Sequence, residues 1–200
     1  LQPRAQNPTG TTTSARRAKA VATLLRRSSA VVVEDDHIGD IASAPPVSVG
    51  SWLPERTVHV RSFSKSHGPD LRLAAVGGAG EVVDALATRR LLGPGWSSRI
   101  LQAVLLAMLR DRATIEQVAA ARASYAKRQA TFHHALADHG ITSTPADGIN
   151  HWVPVLDERS TTIALAAQGT GVAPGTPFLV RPDGADHRDH VRVTIGLVSD

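Results

Sequence analysis

Cysteine is absent from all 200 residues. That excludes a disulfide framework, a thiolate metal site and a thiol nucleophile, and it fits the cytoplasmic location we expect. Aromatic residues are scarce at 4 per cent, with one tyrosine and one methionine. Ala, Arg, Val and Gly are abundant instead, a bias typical of GC-rich coding sequence. No long hydrophobic run is present. The longest, residues 100–109, is interrupted by Gln102 and is too short to span a bilayer, and no signal peptide opens the chain. Nor is there a concentrated block of positive charge. The net charge is +4, but Arg16-Arg17, Arg26-Arg27 and Arg89-Arg90 are dispersed. A nucleic-acid surface would gather such residues on one face, so we read them as solvated helix surfaces.

A hydrophobic content of 42 per cent with 20 per cent charged residues is ordinary for a globular chain. The length suits one large domain or two small ones. The chain starts at Leu1, without a methionine, directly on a loop that runs to Gly10. A domain rarely starts on such a loop, so we expect further sequence N-terminal to it.

After the Asn7-Pro8-Thr9-Gly10 turn, Ser14 is a helix cap and predicts a helix to about residue 27. The continuous apolar run at residues 31–34 predicts a buried parallel strand, and residues 44–54 a proline-containing loop. Residues 57–61 and 71–77 predict two more strands. Helices are expected at 81–91 and 97–112, separated by Gly93-Pro94-Gly95. A long amphipathic pattern over 114–138 ends at Gly140. Beyond it, residues 150–156 and 191–198 are β-like, with a short helix at 161–169. The fold class is therefore α/β, with residues 1–112 as part of a large, mostly parallel domain. Residues 113–200 form a linking helix and a small α+β domain.

Three strand ends carry polar groups in succession. Glu34-Asp35-Asp36-His37 follows the first strand, Ser62-Phe63-Ser64-Lys65 the second, and Arg72 comes seven residues after the lysine. Ligands bind beyond the carboxyl ends of strands in open α/β sheets. Taken singly these groups are commonplace: a strand-end carboxylate is usually a cap, and a lone lysine is usually solvated. A carboxylate, an amine, an arginine and two hydroxyls at one sheet edge would together suit an anionic cofactor with a basic nitrogen.

Ser62-Phe63-Ser64-Lys65 followed by Gly68-Pro69-Asp70-Leu71-Arg72 resembles the lysine motif of class I/II aminotransferases, the fold type I proteins that bind pyridoxal 5'-phosphate (PLP). Asn7-Pro8-Thr9-Gly10 resembles that family's Asn-Pro-Thr-Gly loop. The acidic turn lies between the two, in the family's order. Arg192, in Val191-Arg192-Val193-Thr194-Ile195, resembles its substrate-carboxylate arginine. The resemblance implies that Lys65 binds the cofactor covalently and moves the α-proton. It implies that Asp35, with Asp36 as fallback, faces the ring nitrogen and Asn7 the phenolic oxygen. Ser62, Ser64 and Arg72 would hold the phosphate, and Arg192 would clamp an amino-acid carboxylate.

His37 stands where the family has a tyrosine beside the phenolic oxygen; imidazole can donate the same bond. Asn150-His151-Trp152 departs from a Gly-Leu-His-like strand, which implies an altered substrate pocket. The family's phosphate-cup turn and ring-stacking aromatic lie upstream of the Asn-Pro-Thr-Gly loop. The acidic turn and Arg99-Ile100-Leu101-Gln102 are more similar to the MocR branch of GntR-family regulators, where this fold follows a DNA-binding domain and senses an effector. A stand-alone aminotransferase and a scaffold that no longer binds PLP are the alternatives. The resemblance also implies a homodimer and an amino acid or amine as ligand.

Overall fold

In the computed structural model, residues 1–180 and 188–197 are described, and the chain divides into two compact units. One comprises Leu1–Arg4 and Thr12–Arg122; the other Ala5–Thr11 and Ala123–Asp200.

The first unit is an α/β layer. Helix α1, Ala15–Leu25, begins where Ser14 Oγ accepts the Arg17 amide at 3.2 Å, satisfying a donor that the first helical turn leaves open. Its Ala18 and Ala22, four residues apart, are buried against Val32, Val49 and Leu53. Side chains this small let a helix lie close to a strand. Strand β1, Val32–Asp36, pairs in parallel with β2, Thr57–Ser62; β2 pairs antiparallel with β3, Ala74–Gly78. Helices α2, Gly80–Arg90, and α3, Arg99–Arg110, follow, and α4, Arg112–Asp138, continues across the unit boundary.

The run at 31–34 is not buried on both faces as expected. Val32 is buried, while Val31 and Val33 are about half exposed. The cause is strand alternation. The segment carrying Val49 packs on the face of Val32, Glu34 and Asp36, where the Val49 amide donates to Glu34 Oε1 at 2.6 Å. Val33 and Asp35 point the other way.

In the second unit, β4 (Asn150–Pro154), β6 (His190–Thr194) and the two-residue β5 (Ala173–Pro174) form an antiparallel sheet in the order β4-β6-β5. Helix α5, Glu158–Ala167, starts at Asp157, whose carboxylate accepts the Ser160 amide at 2.6 Å. The expected strand at 191–198 is shorter: it stops at Thr194 and passes into a 3-10 turn, while residue 198 lies outside the described residues. Among the described residues no helix is long and apolar enough to cross a membrane.

Candidate functional site

In the first unit, six of the predicted residues gather around the carboxyl ends of β1 and β2. Asp35 is one residue from the end of β1 and pairs in register with Val60. His37 follows at once, on a turn whose Gly39 has φ +58°. A Cβ on that glycine would press against the Ser62 carbonyl and approach Ser66 Oγ, so the turn after β1 lies directly against the end of β2. Ser62 ends β2, and its Oγ accepts the Ser64 amide at 3.3 Å. Lys65 comes next, solvent-exposed.

The lysine loop is pinned at both ends by apolar side chains. Phe63 and Leu71 are buried against Leu105 of α3, with Leu101 and Met108 around them. The Phe63 amide donates to the Leu73 carbonyl at 3.2 Å, and the His67 amide to the Phe63 carbonyl at 2.9 Å. Arg72 closes the loop in the left-handed region, φ +49°. A non-glycine residue there costs of the order of 1 kcal/mol and is held by its surroundings.

Electrostatics separate the two adjacent aspartates. Asp36 is buried, and both its oxygens receive Arg4, at 3.2 Å from Nε and 2.5 Å from the terminal nitrogen. His59 stands between Glu34, at 3.3 Å, and Asp36, at 3.7 Å. Asp35, on the opposite face, is half-buried. Neither its carboxylate nor the Lys65 amine joins an ion pair among the described residues. The Nδ1 of His37 is buried and has no hydrogen-bond partner among the described residues. Leaving such an atom unsatisfied costs roughly 1–3 kcal/mol.

Asn7 and Arg192 belong to the second unit, and they meet there. Arg192 donates to Asn7 Oδ1 at 3.0 Å, and the Asn150 amide reaches the same oxygen at 3.4 Å. The Arg192 guanidinium lies over the Phe178 ring, 5.0 Å from its centroid, and its Nε is buried without a partner among the described residues. Gly10, at φ +67°, ends the Asn-Pro-Thr-Gly turn where any Cβ would overlap Ala146.

Several residues escaped the sequence reading. The Arg4–Asp36 pair, the Arg61–Asp40 pair and a cavity of about 380 Å³ lined by both with His59 and Arg122 leave no local motif. Phe178 beneath Arg192 is another such case, and so is the parallel stack of Trp152 on His190 at 4.8 Å. Only His151 left a trace, a polar residue inside a β-like run. It is fully buried, and burial followed by the proximity of His133 pushes its pKa below the ordinary histidine value.

The family model for aminotransferase class I and II matches residues 3–200. The chain is 36% identical over 203 residues to the vitamin B6 salvage pathway transcriptional repressor PtsJ of Salmonella typhimurium, a match spanning 100% of this chain and 46% of that protein. It is 27% identical over 114 residues to the HTH-type transcriptional regulator NorG of Staphylococcus aureus, covering 56% of this chain and 26% of that one. Among solved structures, aspartate aminotransferase from Thermus thermophilus with maleate superposes with a TM-score of 0.85 at 23% identity, over 98% of this chain and 51% of that one. A Pyrococcus horikoshii kynurenine aminotransferase gives 0.84 at 20%, over 98% and 50%. The fold is therefore that of these aminotransferases over about half their length. The chain likewise spans less than half of the curated regulators it matches.

Proposed function

Because this chain belongs to the aminotransferase class I and II family, we propose that it is the PLP-binding, effector-sensing part of a MocR-type GntR-family transcriptional regulator. One observation carries the cofactor part of the reading: the buried Nδ1 of His37 just after β1, which has no hydrogen-bond partner among the described residues. The residues at the ends of β1 and β2 suit PLP: Asp35 and Lys65 join no ion pair among the described residues, and Ser62, Ser64 and Arg72 belong to the lysine loop and its flanks. Bound PLP supplies an electron-withdrawing pyridine ring that makes the α-proton of an amino acid acidic.

The chain's own residues would act as follows. Lys65 would hold the group covalently through its Nζ and, with that nitrogen free, would accept the α-proton there. Asp35 keeps the ring nitrogen protonated; Asp36 is consumed by Arg4, which supports Asp35 over its neighbour. By the family resemblance, His37 would face the phenolic oxygen, and the same role is assigned to Asn7. Ser62, Ser64 and Arg72 would hold the phosphate. Arg192, steadied by Phe178 and Asn7, takes the carboxylate of an amino acid.

The regulator reading is supported by the match to PtsJ over the whole of this chain. A stand-alone aminotransferase is the second reading, favoured by the structural likeness to such enzymes. Amino-group transfer to a 2-oxo acid by the intact protein would decide for the enzyme, and amino-acid-dependent DNA binding for the regulator. A cytoplasmic homodimer belongs to the same proposal. Leu91, Leu92, Trp96 and Ile100, each more than 70% exposed, call for a covering surface, from a second copy or from the rest of the longer protein, and sedimentation of the intact protein at dimer mass would bear the dimer out. The division into residues 1–112 and 113–200 stands as our proposed domain boundary.

The cofactor assignment is tested by reducing the protein with borohydride in the presence of PLP and mapping the modified peptide by mass. The adduct is expected on Lys65 and lost in Lys65→Ala. An adduct elsewhere, or none, would overturn the reading.

A further inference from the structure

The second unit contains a chain of polar groups, buried at Gln129 and His151 and partly buried at Ser143 and His133, that none of the roles above uses. Gln129, on α4, donates its amide to two carbonyls, Gly148 at 3.1 Å and Asn150 at 2.9 Å. The opposite amide orientation would set its oxygen against both carbonyls, so this one is dictated by the network. The Gln129 oxygen then faces His151 Nδ1 at 2.9 Å and can only accept, so His151 carries its proton on Nδ1. Its Nε2, 3.0 Å from Ser143 Oγ, must accept the Ser143 hydroxyl proton. With that proton committed, Ser143 can only accept from His133 Nδ1, also at 3.0 Å.

We infer that His133, Ser143, His151 and Gln129 form one directional hydrogen-bond relay, running from His133 to the Asn150 carbonyl, that positions the strand carrying Asn150 and through it the Asn7–Arg192 pair. Asn150 is the link: its side-chain oxygen accepts the Thr194 hydroxyl at 3.1 Å, and its amide reaches Asn7 Oδ1. The four relay members are positioning residues, and the relay needs the His151 imidazole neutral, because its Nε2 must accept while its Nδ1 donates. A proton on His151 Nε2 would turn the Ser143 hydroxyl from donor to acceptor there and reverse that link of the relay. The titratable group facing His151 is His133 on α4; Phe132, on the same helix, meets its ring edge-on at 5.1 Å, Ser143 faces it from the loop before β4, and Val193 of β6 pairs with it in register. The inference rests on the proposed function only for what the Asn7–Arg192 pair binds.

Long-range ¹⁵N NMR on the free protein at pH 7.5 reads imidazole tautomers directly. Both His133 and His151 are expected as Nδ1–H. Ser143→Ala should release His133 from that tautomer and shift the Asn7 and Asn150 side-chain amide signals, and Ser143→Thr, which keeps a hydroxyl, should restore both. An Nε2–H form at either histidine in the unmodified protein overturns the relay, and that reading needs no variant to fold. If the tautomers are as expected but the amide signals stay in place in Ser143→Ala, the positioning role falls. Failure of PLP to attach at Lys65 would sink the functional proposal and leave these tautomers unchanged.

Discussion

At the scale of single residues, charge and burial divide neighbours that look equivalent in a string of letters. Asp35 and Asp36 differ by one position, yet Asp36 is buried against Arg4 while Asp35 faces the other way. Arg192 is a similar case: its guanidinium is held by Asn7 and stacked over Phe178. Arg192→Ala should therefore weaken the spectral response of the PLP-loaded protein to amino acids several-fold while leaving the Lys65 adduct intact. An undiminished response would remove Arg192 from the carboxylate site. His151 sets a pH dependence. Its pKa is lowered in the folded chain by burial and by His133, so the unfolded chain binds the proton more readily. The stability this contributes is present above the ordinary histidine value near 6.5 and is lost as pH falls through the lower folded value. Urea unfolding midpoints at pH 7.5 and 5.5 should drop more for the unmodified protein than for His151→Asn; equal drops would refute it.

At the scale of elements, the lysine loop owes its shape to apolar pins rather than to polar contacts. Phe63 and Leu71 are clamped beneath Leu105 of α3. Leu105→Ala should cost about 2–5 kcal/mol, read from the urea midpoint, and should speed hydrogen exchange at the His67 amide. Unchanged exchange there would mean that the loop is held by something else. Most elements were legible in advance. Ser14 announces α1, the Ser-Phe-Ser-Lys motif marks the end of β2, and Gly140, at φ +75°, closes α4 as its position predicts. The exposure of Val33 was not legible. A run of three valines looks the same whether one face or two is covered, because that depends on which element packs there. The two-residue β5 was missed because a strand of that length has no period to detect.

At the scale of the whole molecule, binding of PLP to the folded chain alone should raise its stability by mass action, by about 2.7 kcal/mol at a ligand concentration one hundred times its Kd. The measurement is the urea midpoint with and without PLP. The gain should shrink in Lys65→Ala, and an equal gain in that variant would point to binding away from the lysine. The amino-acid sequence by itself determined the family, the order of the elements and the identity of Lys65, Asp35, Arg72, Asn7 and Arg192 as candidates, because each sits in a short motif whose spacing is local. Other pairings were decided only by the tertiary structure: Arg4 on Asp36, Phe178 under Arg192, and Gln129 through His151 and Ser143 to His133. Their separations of 32, 14 and 22 residues follow no helical or strand period, so only the folded chain brings them within hydrogen-bonding or stacking distance.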